Sequence, residues 1–423
     1  MEVIAQVFSV AMPIFTVLVL GEKLYGYLKG NDTVPLMDAI SSSYSGITLI
    51  IRMLLSFSIT IISYDFLFKH LALFHIQTTW LAYIVTFIVV DFQGYWGHRL
   101  VHKVNFLWNR HLIHHSSEEF NLACALRQSV TNFVNVLFFL SIPAALLGLE
   151  PKVIAIIIPI HGFAQYWYHT RWIGKLGFLE YIIVTPSQHR VHHALNPVYI
   201  DKNFSGIFCI WDRMFGTFQE ELENEPPVYG ITRPSRTYNP VTINLEHLLL
   251  LFKDAWRAEN WMDKLTIWFR PTGWRPEGFE EKYPVVKIAD PHSYRKYNPG
   301  AGTGLRTWST IQFASLFLLV IYTLHNFTQV EPTGLMMFGL FVFMQIYSAT
   351  ELMDRNKQAP LYAIITMLTF TGIYLYNADL FRVFGPSDLA AFLLLSFLAL
   401  QAILAFVFTT SEARQDYAMA QAE

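Results

Sequence analysis

The sequence predicts an all-α polytopic membrane protein, with about nine transmembrane helices and a cytoplasmic, histidine-rich cap. Three observations predict it. Of 423 residues, 53% are hydrophobic and 15% charged, whereas a soluble chain carries about 25% charged residues. The apolar residues collect in runs of spanning length. Five of the 15 histidines fall between His98 and His115, where one such run ends. The net charge of −2 gives no footing for nucleic-acid binding. Cys124 and Cys209 are too few for a disulfide framework, and neither stands in a C-x-x-C.

Taken in order, the candidate spans are residues 3–20, 45–64, 80–97, 130–149 and 152–168, then 308–324, 334–348, 360–376 and 389–409. The first lacks a basic n-region, and Gly21-Glu22-Lys23 is a poor cleavage site, so it reads as a retained span. Glu150-Pro151 reads as the tight turn of a helical hairpin. Alternation through nine spans puts Lys23, Lys29, Arg99, Lys103, Arg110, Arg171, Lys175, Arg355 and Lys357 on one side. The opposite loops hold Lys69, Lys152 and Arg382. The positive-inside rule makes the first side cytoplasmic, with the N-terminus outside and both histidine clusters inside. The polar interval 185–307 is rich in aromatics (Trp211, Phe215, Trp256, Trp261, Trp268, Trp274) and therefore reads as an ordered cap. Gly300, Gly302 and Gly304 follow no predicted strand and precede a span, so they read as a flexible lead, not a nucleotide loop. Four segments result: N-terminal helices 1–79, a catalytic core 80–240, a cap and linker 241–307, and a four-helix region 308–423.

The histidines carry the chemistry. His98 and His102 form H-x3-H; His111, His114 and His115 form H-x2-H-H; His189, His192 and His193 repeat it. Residues three and four apart share a helix face, so each group can aim its imidazoles at one point. Ser187 stands near the expected cap of the helix carrying the last box. His169 ends the fifth span at the same level and is the candidate ninth ligand. Eight or nine imidazoles exceed what one ion or one structural zinc needs, so two ions with open positions are the economical reading. His161 is a satisfied core histidine, part of a substrate passage or a further ligand. Asp91 precedes His98 by two helical turns, and holding that imidazole would account for a carboxylate inside an apolar span. His70, His75, His247, His292 and His325 read as surface or structural. All-imidazole ligation leaves the metal charge to nearby carboxylates. Asp91, Glu118, Glu119, Asp201 and Asp212 are in sequence reach, with Asp91 and Asp201 ranked first as catalytic candidates.

These boxes resemble those of the membrane fatty acid hydroxylase and sterol desaturase superfamily, as does D-K-N-F-S-G-I-F-C-I-W-D-R-M-F-G-T-F from Asp201 to Phe218. V-D-F-Q-G-Y-W-G-H-R from Val90, H-H-S-S-E-E-F-N-L-A-C-A-L-R-Q-S-V from His114 and T-P-S-Q-H-R-V-H-H from Thr185 resemble its alkylglycerol monooxygenase (glyceryl-ether monooxygenase) branch. The resemblance covers residues 80–240. It implies two non-haem iron ions that use O2 to hydroxylate the ether-linked carbon of an alkylglycerol, giving a fatty aldehyde and a glycerol derivative. It also implies tetrahydrobiopterin as electron donor. Lys103 departs from the pattern, standing where an acidic residue is expected. Arg127, Gln128, Asn203, Trp211 and Asp212 are candidates for structural or cofactor contacts, with W-D-x-x-F-G read as a turn. The expected partners are a membrane lipid, O2 and a cytosolic reductant, with no obligate protein partner. The membrane is the endoplasmic reticulum if the chain is eukaryotic and the inner membrane if bacterial. A sterol or fatty-acid hydroxylase or desaturase with the same boxes stays open. So does a metal transporter, although its site belongs near the bilayer midplane and these clusters sit at helix ends.

Overall fold

The computed structural model describes residues 2–55, 62–131, 136–378 and 387–420. Among the described residues the chain is helical, with isolated β-bridges and no strand. It divides into two compact units: Met1–Phe57, Arg236–Thr242 and Tyr297–Glu423 form one, Ser58–Ser235 and Ile243–Lys296 the other. The segments 1–79, 80–240 and 241–307 each contribute to both units.

The first unit is an apolar helical bundle. Among the described residues five helices are long and apolar enough to cross a membrane: Ile4–Leu28, Thr303–His325, Pro332–Met353, Ala359–Tyr376 and Asp388–Thr410. Pro332–Met353 is the central one, with 67% of its most apolar window buried against 17% for the N-terminal helix. Its Gly339 admits a close neighbour, since a Cβ there would lie 2.7 Å from Leu55 Cδ1. The Gln345 amide donates to Gln401 Oε1 at 2.7 Å, and Gln401 donates to Ser348 Oγ at 3.1 Å, tying the central helix to the last. Leu36–Leu54 is a helix of another kind: it buries Ser41, Ser42, Ser45, Thr48 and Arg52 against protein. It takes the place of the span expected at 45–64, of which residues 56–61 lie outside the described residues.

The second unit positions the histidines. Its main helix, Trp80–Lys103, starts where Thr79 Oγ1 accepts the Ala82 N–H and ends at extended Val104, which bridges to Pro271. Short helices Ile142–Leu146 and Pro151–Phe163 pack on it, and Tyr64–Leu71 packs on both of those. The spans expected at 130–149 and 152–168 are not continuous crossing helices. In the first, residues 132–135 lie outside the described residues. The rest is a 3-10 turn, Phe138–Ser141, and the five-residue helix Ile142–Leu146 with Pro143 in its first turn. The second closes after 13 residues, about 20 Å of rise against an apolar layer of about 30 Å. The expected nine spans are therefore five by length and composition among the described residues. Hydropathy reports burial and cannot distinguish lipid from protein as the medium that buries.

The expected turn at Glu150-Pro151 is present, with Pro151 opening its helix. The tight point lies two residues earlier, at Gly148 (φ +71°). There Leu73 donates to the Leu146 carbonyl at 3.1 Å and Ile76 to the Gly148 carbonyl at 3.4 Å, which draws two backbones together. A Cβ on Gly148 would sit 1.7 Å from the Phe74 carbonyl oxygen. Gly148→Ala therefore forces apart the loop that buttresses the main helix. The expected loss is about 2–4 kcal/mol, read as a lower melting temperature in detergent; an unchanged melt would contradict this packing.

Candidate metal centre

All nine histidines expected from the sequence come together, in two groups. His98, His102, His111, His115 and His192 form the first; His114, His169, His189 and His193 form the second. Within each group one nitrogen per ring lies within 4.8 Å of all the others. The groups are neighbours, with the His115 and His193 rings stacked at 4.3 Å.

The division crosses the boxes. His111 and His115 of the first H-x2-H-H join His192 of the second, while His189 and His193 of the second join His114 of the first. Helical geometry gives the reason: successive residues diverge by about 100°, and i and i+4 by about 40°. The outer histidines of a box therefore point one way and the i+3 histidine another. The expectation that each box aims at one point is corrected accordingly. The local structure is also shorter than expected. Leu112–His115 is a single turn with His111 at its cap, and Pro186–His192 is capped by Thr185 Oγ1, which accepts the Gln188 N–H, while Ser187 lies buried inside.

Backbone carbonyls fix the rings. His98 Nδ1 donates to Phe204 O (2.7 Å), His114 Nδ1 to Arg127 O (3.1 Å), His192 Nδ1 to Lys202 O (2.9 Å) and His169 Nδ1 to Gln165 O (3.1 Å). A neutral imidazole that donates from Nδ1 presents a bare lone pair at Nε2. Yet His114 Nε2 and His169 Nε2 stand 3.3 Å apart, His169 and His189 2.9 Å, and His189 and His193 3.0 Å. In the first group His98 Nε2 and His111 Nε2 are 2.8 Å apart, and Nε2 of His102, His115 and His192 is buried without a partner. Facing lone pairs repel unless one cation draws on both. Nitrogens bound to one ion at about 2.1 Å and 90–109° lie about 3.0–3.4 Å apart. The donor set, spacing and orphaned atoms thus fit a transition metal in each group.

One segment, 201–212, aligns much of the first group. Its carbonyls at 202 and 204 hold His192 and His98, and between them Asn203 takes φ +55°. The Asn203 side chain is locked by bonds to Gln188 O, Gln219 O and Gln219 N. Buried Asp212 accepts the Phe204 and Ser205 N–H groups at 2.8 and 2.9 Å, and the Thr217 hydroxyl at 2.7 Å. Asp91 accepts the Ile207 and Phe208 N–H groups at 2.8 and 3.0 Å, Trp211 Nε1 at 2.8 Å and His161 Nε2 at 2.7 Å. Asp91 therefore does not hold His98, as the two-turn spacing suggested. Four donors fill its oxygens, and it acts through the segment that supplies the Phe204 carbonyl. His161 is its partner, not a ligand. The structural reading of Asn203, Trp211 and Asp212 holds.

Asp201 lies beside His102, in the first group. Its Oδ1 is 3.8 Å from His102 Nδ1, and Lys103 Nζ pairs with Oδ2 at 2.6 Å, which gives the unexpected lysine a partner. Glu118 and Glu119 are engaged elsewhere, with Tyr294, and with Arg171 and Lys296. Arg127 is buried, donates to Ser116 Oγ and offers its carbonyl to His114, a structural contact; Gln128 is exposed. Sequence reasoning missed the aromatic wall. Trp108 and Phe204 pack on the first group, Phe120 and Tyr168 on the second. Aromatic residues are too frequent here to have marked these four.

Burial pushes the histidines toward neutrality. His114 is drawn down to about 4 by desolvation, partly offset by its bond to the Arg127 carbonyl. Burial, then the neighbouring imidazoles, holds His189 and His193 well below 6.5. The unfolded chain takes up protons near 6.5 that folded His114 refuses until about 4 and that His189 and His193 also resist. Stability of the metal-stripped protein is therefore full above pH 6.5 and is lost as pH falls toward 4, which a melting series across that range checks. The crossed geometry makes a second prediction. His192→Ala should remove the same ion as His111→Ala, and His193→Ala the same ion as His114→Ala, read by metal content and Mössbauer spectra. Grouping of His192 with His193 would contradict it.

Residues 83–217 match the fatty acid hydroxylase family. Over 374 residues the chain is 33% identical to the alkylglycerol monooxygenase of Homo sapiens, covering 87% of this chain and 82% of the human one. To that of Danio rerio it is 37% identical over 281 residues, 65% of this chain and 61% of the other. To an ornithine lipid hydroxylase of Rhizobium tropici it is 29% identical over 152 residues, 35% of this chain and 45% of the other. No solved structure matches. Similarity that extends well beyond the histidine core, along most of both chains, places this protein in the alkylglycerol monooxygenase family.

Proposed function

We propose that this protein is an O2-dependent di-iron membrane monooxygenase that hydroxylates the ether-linked carbon of alkylglycerol lipids. The observation that carries the reading is the pair of adjacent all-imidazole groups in a chain of this family. Hydroxylation of R–CH2–O–glycerol consumes O2, two electrons and two protons and releases water. The hemiacetal then breaks its C–O bond to give a fatty aldehyde and a glycerol derivative. Iron, when bound, supplies O2 activation and transfer of one oxygen atom to the C–H bond. The chain's own residues do the rest. The carbonyls of 202, 204, 127 and 165 keep the Nδ1 protons away from the ions, the aromatic wall excludes water, and Asp201 and Asp91 are the carboxylates assigned to charge compensation and positioning.

The electrons come from a reduced pterin, tetrahydrobiopterin, on the strength of kinship. With five spans, Lys29, Arg355 and Lys357 flank the spans on the side of the histidines and Arg382 on the other, which supports a cytoplasmic site, in the endoplasmic reticulum or a bacterial inner membrane. The five apolar helices anchor the chain. Exposed Trp256, Trp261, Met262, Leu265 and Phe269, beside Arg257, Lys264 and Arg270, suit a surface that rests in the headgroup layer. The nine histidines lie outside the five candidate spans, which speaks against a midplane transport site.

Anaerobic loading with iron, followed by O2, reduced pterin and a panel of alkylglycerols, sterols and fatty acids, tests the proposal. Fatty aldehyde released from the ether lipids alone is the expected result. A hydroxylated sterol or a new double bond would overturn it.

A further inference from the structure

The first histidine group opens onto a cavity of about 300 Å³ whose walls all belong to the second unit. His102, His115 and His192 line it, and no member of the second group does. The cavity thus addresses one group and makes the two unequal. Its volume is at the small end for ligand pockets, about 300–1,000 Å³, so it suits a headgroup better than a long chain.

Two polar side chains on its wall lack a protein partner among the described residues. The half-buried Arg233 guanidinium has no hydrogen bond or ion pair among the described residues. Of the two carboxylates whose field it feels, one is paired with another cation and neither bonds to it. Asp254 takes two bonds from Arg275, at 2.6 and 3.0 Å, and Glu246 accepts the Ser235 hydroxyl. Thr272 Oγ1 is buried without a partner. The other cations on the wall are paired in place, Arg275 with Asp254 and Lys287 with Glu280, and Asp201 is shared between Lys103 and His102. Among the described residues Arg233 is the wall cation without an ion pair, its charge met only by the fields of Glu246 and Asp254, and burial draws its pKa below the ordinary guanidinium value. A partly desolvated guanidinium is costly until an anion pairs with it, and its planar fork matches phosphate oxygens.

We infer that this cavity seats the polar end of the substrate and selects an acidic one, a glycerol that carries a phosphate, through Arg233 and Thr272 on its wall. The inference rests on the proposed function for the identity of the lipid. It places the ether carbon, adjacent to that glycerol, at the first histidine group.

The test uses the iron-loaded protein, anaerobic and without reductant, so that binding is read apart from turnover. The probes are 1-O-alkylglycerol-3-phosphate and neutral 1-O-alkylglycerol of the same chain length. Arg233→Gln should weaken the phosphate-bearing lipid by about tenfold or more and the neutral lipid by less than about twofold. Thr272→Val, nearly isosteric, should also weaken the phosphate-bearing lipid, by about threefold, and serves if the first variant does not fold. Equal losses for both lipids, or none for either, would overturn the inference. Selective binding without aldehyde on adding O2 and reductant would sink the proposed function and leave this site standing; aldehyde release with indifferent binding would do the reverse.

Discussion

The site depends on where its imidazole protons are kept. A buried imidazole binds a metal through a lone pair, and a lone pair is available at Nε2 only if the ring's proton stays on Nδ1. Four rings meet this condition by donating Nδ1–H to backbone carbonyls. A carbonyl cannot donate, so the tautomer is fixed whatever the ring faces. The carbonyls must in turn be held, and for two of them two buried carboxylates do so. Asp212 takes the amides of 204 and 205, Asp91 those of 207 and 208. Asp212 is met by two amides and a hydroxyl, and Asp91 by two amides, an indole N–H and the His161 ring. The segment between them has little freedom, and neither do His98 and His192.

This arrangement accounts for an otherwise awkward group in the sequence. Asp91 is fully buried in a helix with an apolar run, where an ionised carboxylate is expensive. Four donors remove most of that cost, and the site gains a strap from the main helix to the chain that follows the last box. Gly206 lies inside the strap because a Cβ there would come within 3.2 Å of Asp91 Oδ1 and 3.1 Å of His161 Cε1. The helix Pro151–Phe163 is drawn in through the same His161. Main helix, short helix and box segment therefore converge on one carboxylate.

The site was largely legible in the sequence and the membrane architecture less so, for physical reasons. Histidines at i, i+3 and i+4 are rare enough that spacing alone identified eight of the nine, and His169 followed from its level in the chain. What spacing could not give was the division between groups, because it depends on how two distant single turns face each other. Asp91 was singled out for the right reason, its cost in an apolar helix, but assigned to the nearest histidine in sequence when its donors lie 70 to 120 residues away. The segments 130–149 and 152–168 differ from the expected spans because hydropathy does not report helix length: among the described residues the first is a 3-10 turn and a five-residue helix, and the second closes after 13 residues. Arg233 and Thr272 carried no signal, since a lone arginine and a lone threonine acquire meaning only from the space they line.

The central claim is that two neighbouring groups of neutral imidazoles each hold one iron ion. Iron-edge X-ray absorption on the iron-loaded protein, with its metal content measured on the same sample, tests it most directly. The account predicts two iron ions per chain and a first shell dominated by nitrogen at about 2.1 Å with imidazole outer-shell scattering. A single ion per chain, or a shell dominated by carboxylate oxygen or by sulfur, would contradict it.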